Sequence, residues 1–366
     1  MNPESDRAEP IHHGRVKVFD FFSGCGGASR GFEDAGMEIV FGLDWDADAR
    51  LTFKKNFPAA HVEPTDIRET SVDSVRKLVA DHKPNPILFC GCAPCQPFTK
   101  QNTTRPDPNS DDRVPLLIKF GRFIQACKPD IVFVENVPGI QKLRLGAEPL
   151  NRFLEMLEEA GYRRPACRAV PLKQYGVPQG RRRFLLLASL HGPVELPAAT
   201  HGPGTANPEY ATVHDWIGDL PPIEAGETHP EFPDHRAANL SERNLERVRV
   251  TPEGGGHRSW PDHLKLECHN ETKGYSDVYG RMSWDSPASG LTTRCISYSN
   301  GRFGHPEQDR AISVREAACL QTFPMEFHFE GSLSSMARQI GNAVPVRLTK
   351  TIGRHVHRHL AQVGVS

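Results

Sequence analysis

The sequence lacks any apolar run close to the roughly 18 residues that a membrane-spanning helix needs, which argues against an integral membrane protein. It does not open on a secretory leader, so a cytoplasmic protein is expected. A disulfide framework is missing too: the nine cysteines are an odd, scattered set, the usage of a reducing compartment. Charge of one sign is missing, with 44 basic against 45 acidic residues, so binding to nucleic acid would have to rest on local positive charge. Internal repeats and low-complexity tracts are absent, which excludes a solenoid.

What is present suits a globular chain: 38% hydrophobic and 24% charged residues over 366 positions suffice for a large α/β domain and a smaller one. Residues 1–15 are polar and expected to be a flexible tail. "VKVFDFF" (16–22), "MEIVFGLDW" (37–45), "PILFCG" (86–91), "DIVFVENV" (130–137) and "RRFLLLASL" (182–190) read as buried strands. Helical spacing falls between them, as in "SVDSVRKLVADH" (71–82), where Ser71 is placed to cap. The expected fold is therefore a doubly wound, mostly parallel sheet of the α/β class, with its site at the carboxyl ends of the strands. After 190 the texture turns irregular, rich in Pro, Gly, His and charge, which points to a second, smaller domain. Helical patterning returns over 313–323 and 344–360.

Gly24, Gly26 and Gly27 fill the turn after the first strand, where a ligand can approach the backbone and the next helix offers free N–H groups. Asp44 closes the second strand where an acid reaches ribose hydroxyls, Trp45 could stack on a base, and Asp66 could accept from an exocyclic amine. A nucleoside-containing cofactor follows; the spacing alone does not separate a dinucleotide from S-adenosylmethionine.

In "GCAPCQPF" (91–98), Cys92 and Cys95 are either half a metal site or a presented nucleophile. No second Cys/His pair stands at ligand spacing, so no metal is expected. Glu135 ends an apolar strand, where an unpartnered carboxylate is costly. Arg181 and Arg183 alternate on an incoming strand and so share a side.

Taken in order, "FFSGCGG", "APCQPF", "ENV", "QGRRR", "REAACLQTFP" and "RQIGNAVP" resemble the motif set of DNA cytosine-5 methyltransferases, a bacterial-type, S-adenosylmethionine-dependent family. The resemblance covers 16–190 and about 280–350. It implies a Rossmann-like methyltransferase fold: 16–190 catalytic and cofactor-binding, 191–280 target-recognising, and 281–366 returning to the catalytic domain. It also implies that Cys95 adds to C6 of a flipped-out cytosine, Glu135 holds the N3 edge, and Arg183 and Arg181 hold O2. For the methyl donor it implies contacts from Phe22, Gly24, Cys25, Gly27, Asp44, Trp45, Asp66, Ile67, Pro94, Leu116, Asn342, Ala343 and Val344. For DNA it implies contacts from Gln96, Thr99, Lys100 and Arg113 around the polar loop 99–113.

Arg243, Arg247 and Arg258, in the variable segment, are expected to meet DNA as well. The resemblance implies a monomer at the bacterial nucleoid whose partner is double-stranded DNA, with no membrane; it is expected either beside a cognate restriction endonuclease or defence-system proteins or as an orphan methylase. An RNA methyltransferase sharing the site, a catalytically silent binding protein and a nicotinamide-dependent oxidoreductase are the rivals. The size of the variable segment, the intact Cys95, Glu135 and Arg183, and residues 91–98 respectively disfavour them.

Overall fold

The computed structural model describes residues 15–93, 115–141, 147–267 and 277–365. Seven strands, β1 (Lys17–Phe21), β2 (Glu38–Leu43), β3 (His61–Glu63), β4 (Ile87–Gly91), β5 (Ile131–Asn136), β6 (Ala166–Pro171) and β7 (Arg182–Ser189), form one sheet in the order 3-2-1-4-5-7-6. Strands β1 to β5 pair in parallel, whereas β7 runs antiparallel to both β5 and β6. Helices α1 (Gly27–Asp34), α2 (Ala47–Asn56), α3 (Val72–Asp81), α4 (Pro115–Cys127) and α5 (Ala147–Ala160) alternate with the first strands. Beyond β7 come α6 (His214–Ile217), α7 (Glu242–Arg249), α8 (Val314–Leu320), α9 (Leu333–Asn342) and α10 (Val346–Gln362).

Continuous apolar strands arise because both faces of the sheet are covered. Side chains alternate: Val18, Leu88, Ile131, Phe133, Leu185 and Leu187 join the core under α1 and α10. Phe19, Phe21, Phe89, Val132, Val134, Phe184 and Leu186 join the core under α3, α4 and α5. The second core is aromatic, with Phe21 within 4.9–5.4 Å, ring centre to ring centre, of Phe41, Phe89, Phe120 and Phe123. Period two then fixes the chemistry of one face, because Asp20, Cys90, Glu135 and Arg183 follow the α1/α10 register.

Ser71 caps α3 as expected, accepting from the Ser74 N–H at 3.4 Å. The strand β6 and the helix α9 are additional to the sequence reading. β6 is an edge strand with two exposed positions, so it carries no buried apolar run. α9 is a short, serine-rich helix capped by Ser332.

The chain's last long helix returns to its first. A Cβ on Gly31 of α1 would lie 2.1 Å from Thr349 Oγ1 and 2.2 Å from the Val346 carbonyl oxygen of α10, so the two backbones meet where only glycine fits. Ahead of it, α8 is seated by a buried ionic network. Ser313 and Glu316 form a reciprocal capping box, and both Arg310 Nη atoms donate to Glu316 at 2.7 Å. Burial opposes ionisation of Glu316, but the Arg310 fork prevails and holds the carboxyl below its ordinary range. Arg310 Nε also donates to the Ile223 carbonyl, tying the irregular segment to α8.

A third, small core gathers Val248, Trp260, Leu264, Tyr298 and Ala311. Among the described residues no helix is long and apolar enough to cross a membrane.

Two outcomes follow from this packing. Gly31→Ala must push α1 off α10, and a loss of about 1–3 kcal/mol is expected, seen as a lowered thermal midpoint; an unchanged midpoint contradicts the close approach. Asp20 is buried, with Oδ2 accepting from Ser29 Oγ at 2.6 Å. Burial pushes its carboxyl from 3.8 up to about 7. The folded protein thus keeps a proton that the unfolded chain releases, so stability falls as pH rises between those values. Asp20→Asn removes that fall, which unfolding titrations at pH 5 and pH 8 measure; a pH dependence identical to wild type contradicts it.

Candidate active site

β1, β4 and β5 end at one edge of the sheet, and β7 begins there because it runs antiparallel. That reversal is what delivers Arg181 and Arg183 to the edge where Glu135 ends β5. Arg183 Nε donates to Glu135 Oε1 at 2.6 Å, with side chains only 15% and 12% exposed, a short charge-assisted contact between neighbouring strands. Arg181 Nη2 donates to the Gly341 carbonyl at 3.0 Å, and its stem packs on Gly290. Burial and the adjacent Arg183 charge weaken its hold on its proton, down to about 9, with Glu135 acting the other way.

β4 delivers the cysteines. Cys90 is fully buried, its Sγ 3.8 Å from that of the half-buried Cys92. Burial drives the Cys90 thiol well above its ordinary range, so it stays protonated and packs as a small apolar group. Among the described residues no group of three His, Cys, Asp or Glu side chains could hold a metal ion. The chain then runs into 94–114. Pro94, Cys95, Gln96, Thr99, Lys100 and Arg113 lie outside the described residues, as does the whole of the loop 99–113. Asn136, which the sequence reading did not single out, reaches across: its Nδ2 donates to the Ala93 carbonyl at 3.3 Å and its Oδ1 accepts from the Val137 N–H at 2.7 Å. The tail of β5 therefore holds the exit of β4, and the only sequence signal was its place beside Glu135 in "ENV".

The glycine turn and the acid after β2 come together as the spacing predicts. Asp44 Oδ2 accepts from the Gly24 N–H at 2.8 Å, and Oδ1 from the Asp46 N–H at 2.9 Å. Gly24 has φ +53° and open space where a Cβ would stand, while Phe22 holds φ +64°, a backbone strain of the kind found at ligand sites. Trp45 is 72% exposed, an indole face left in water beside the turn. Gly27 meets the Val344 carbonyl and Ala343, so the "GNAV" segment closes one wall. Asn342 is exposed at the end of α9 and Val344 is buried.

Cys25 is buried, its Sγ 3.7 Å from the Gln339 carbonyl, so it presents backbone rather than thiol to this space. Ile67 and Leu116 are buried in the aromatic core beside it. Asp66 is forked by Arg68, whose Nε and Nη2 donate at 3.0 and 2.8 Å, and this contact lowers its carboxyl. A carboxylate, an exposed indole and an open glycine turn form a donor set that fits a methyl donor carrying a nucleoside.

In the variable segment the arginines divide. Arg243 and Arg258 are exposed, with Arg243 also donating to the His263 carbonyl. Arg247 is only 6% exposed, which corrects its assignment as a DNA contact. Its Nε donates to the Leu264 carbonyl at 3.1 Å, and its guanidinium lies 5.0 Å from the Trp260 ring centre and 5.5 Å from that of Tyr279. It supports the small core by cation–π packing. His235 of the same segment is likewise fully buried, between Ser313 Oγ and the Pro221 carbonyl.

The carboxylate after β2 is open to direct test. Asp44→Ala removes the acceptor of both turn N–H groups; given the ribose contact expected of this acid, a Kd for S-adenosylmethionine raised by about tenfold or more is expected in calorimetry. An unaltered Kd would remove Asp44 from the cofactor wall.

Comparison with known proteins agrees with this geometry. The family model described as "C-5 cytosine-specific DNA methylase" matches residues 16–358. The Type II methylase M.HgiDII of Herpetosiphon aurantiacus is 38% identical over 94% of this chain and 95% of its own length. The Type II methyltransferase M1.HphI of Haemophilus parahaemolyticus is 30% identical over 93% and 86%. Among solved structures, a putative DNA modification methyltransferase encoded within a prophage (E. coli) superposes with a TM-score of 0.72 at 21% identity, covering 94% of this chain and 99% of that one. The chain belongs to the family of C-5 cytosine-specific DNA methylases and is an S-adenosylmethionine-dependent DNA (cytosine-5-)-methyltransferase.

Proposed function

We propose that this enzyme methylates C5 of one cytosine flipped out of duplex DNA at a fixed recognition sequence, through a covalent bond between Cys95 and C6. The observation that carries this reading is the Glu135–Arg183 pair at the strand edge, beside the Cys92 exit that leads to Cys95. Cytosine C5 is a poor nucleophile. Addition of the Cys95 thiolate to C6 makes C5 electron-rich, and Glu135 hydrogen-bonds N3 and the exocyclic amine as negative charge develops on the ring. Arg183, with Arg181 behind it, holds the O2 edge. When bound, S-adenosylmethionine supplies an electrophilic methyl group on a sulfonium sulfur. Loss of the C5 proton then breaks the Cys95–C6 bond and restores the ring. Reaching C6 requires the base to leave the stack.

The contact between Gly27 and Val344 supports assigning 281–366 to the catalytic unit together with 16–190, while 191–280, with Arg243 and Arg258, reads the target. Pro94, Leu116, Phe22 and Asp66 then border the methyl donor, and Gln96, Thr99, Lys100 and Arg113 meet the DNA. The Type II names of its relatives support a restriction-modification setting; a monomer acting on the nucleoid, in that or another phage-defence setting or as an orphan methylase, completes the proposal.

A duplex carrying 5-fluorocytosine at the target has no C5 proton to lose, so it should form a complex that survives denaturing electrophoresis. Cys95→Ser is expected to form none while binding DNA within about threefold of wild type. Absence of the adduct with wild-type protein contradicts conjugate addition. Cys92→Ser is expected to keep turnover within roughly tenfold; release of a stoichiometric metal on that change would restore the metal-site reading.

A further inference from the structure

Two buried glutamines connect the arginine turn to the cofactor wall. Gln179, two residues ahead of Arg181, is fully buried, and its Nε2 donates to the Leu320 carbonyl at 2.6 Å and to Gln321 Oε1 at 2.9 Å. Its Oε1 accepts from the Leu291 N–H at 3.4 Å. Gln321, also fully buried at the end of α8, passes the chain on: its Nε2 donates to the Ile340 carbonyl at 2.6 Å and to the Ala343 carbonyl at 3.1 Å. Both N–H bonds of each amide are thereby used, so neither side chain can turn without leaving buried carbonyls unpaired.

The position of this relay gives it more than a packing role. At one end, the Gly180 N–H donates to the Ala288 carbonyl at 2.8 Å and Arg181 reaches the Gly341 carbonyl, so Gln179 fixes the turn that aims the arginines. At the other end, Ala343 and the Val344 carbonyl press on Gly27 of the glycine turn. A shift of the cofactor wall therefore moves the arginine turn through directional bonds, the glutamine relay beside the direct Arg181–Gly341 contact. Amides suit this task, because an apolar side chain at either position would leave two carbonyl oxygens and one N–H unpaired, and a charged one would be buried without a counter-ion.

We propose that Gln179 and Gln321 are positioning residues that couple the two ligand sites, so that an occupied cofactor wall sets the arginines for the target cytosine. The inference rests on the residue roles given under the proposed function. Linkage requires the effect to be mutual: a cytosine engaged by the arginine turn tightens the cofactor site by the same factor.

Gln179→Glu tests this, because the change keeps the shape but replaces the amide donor with a carboxyl oxygen facing the Leu320 carbonyl and Gln321 Oε1. The carboxyl must hold a proton to stay in place, so the variant near pH 6 is its own control for folding. S-adenosylhomocysteine is the probe, titrated with and without a duplex containing the target cytosine. In wild type the duplex should tighten its binding by about fivefold or more. In Gln179→Glu at pH 8 that enhancement should fall to within about twofold, although Gln179 lies on the arginine side, and it should recover toward pH 6. Gln321→Glu should behave alike, with the double variant no worse than either single one.

An enhancement equal to wild type in both variants, or none in wild type, overturns the coupling. A thermal midpoint lowered with the enhancement intact marks a merely structural role and overturns it equally. Should either glutamate variant fail to fold at pH 6, Gln179→Asn, one methylene too short to span both acceptors, takes its place under the same criteria. Wild type that binds no S-adenosylhomocysteine at all defeats instead the residue roles beneath the proposal.

Discussion

A carboxylate and a guanidinium pressed together at the end of a sheet organise this enzyme. Removing two charges from water costs several kcal/mol each, and the contact between Glu135 and Arg183 offsets that only while both partners are present. The antiparallel β7 makes the pair available, since a parallel strand would carry its arginines to the far edge of the sheet. Asn136 then extends the same strand end to Ala93 and so fixes where the β4 loop departs. With the roles proposed for Glu135 and Arg183, the target-facing chemistry is preassembled on strands, the arrangement that lets a site favour developing charge without reorganising.

The cofactor end depends on a different constraint, the return of the chain's last helices to its first turn. Gly31 lets α10 lie against α1, and Val344 lies against Gly27. Asp44, held by two backbone N–H groups, joins the turn after β1 to the turn after β2. Arg338 of α9 extends this line by donating to Asp46 Oδ2 at 3.0 and 3.2 Å. Residues more than 280 positions apart therefore share one wall, and the irregular segment between them is anchored by the Arg310–Glu316 network instead of a large core of its own.

Much of this was legible in the sequence where periodicity or turn chemistry enforces structure. The apolar runs of β1, β4, β5 and β7 are long because both faces are covered, and Gly24 to Asp44 spans one helix and one strand. β6 was not legible, since an edge strand alternates with solvent; neither was α9, whose serines resemble a loop. Arg247 was misread because composition does not distinguish an arginine facing DNA from one stacked on Trp260 and Tyr279. The Gln179–Gln321 relay was equally hidden, because an amide's partners are carbonyls contributed by distant backbone.

Expression of the enzyme in a host free of cytosine methylation, followed by base-resolution sequencing of 5-methylcytosine, tests the central claim most directly. The account predicts the mark on the cytosine of a single sequence context across the genome, present with wild type and absent with Glu135→Gln. A genome without 5-methylcytosine, a mark placed on another base, or methylation undiminished by Glu135→Gln would contradict it.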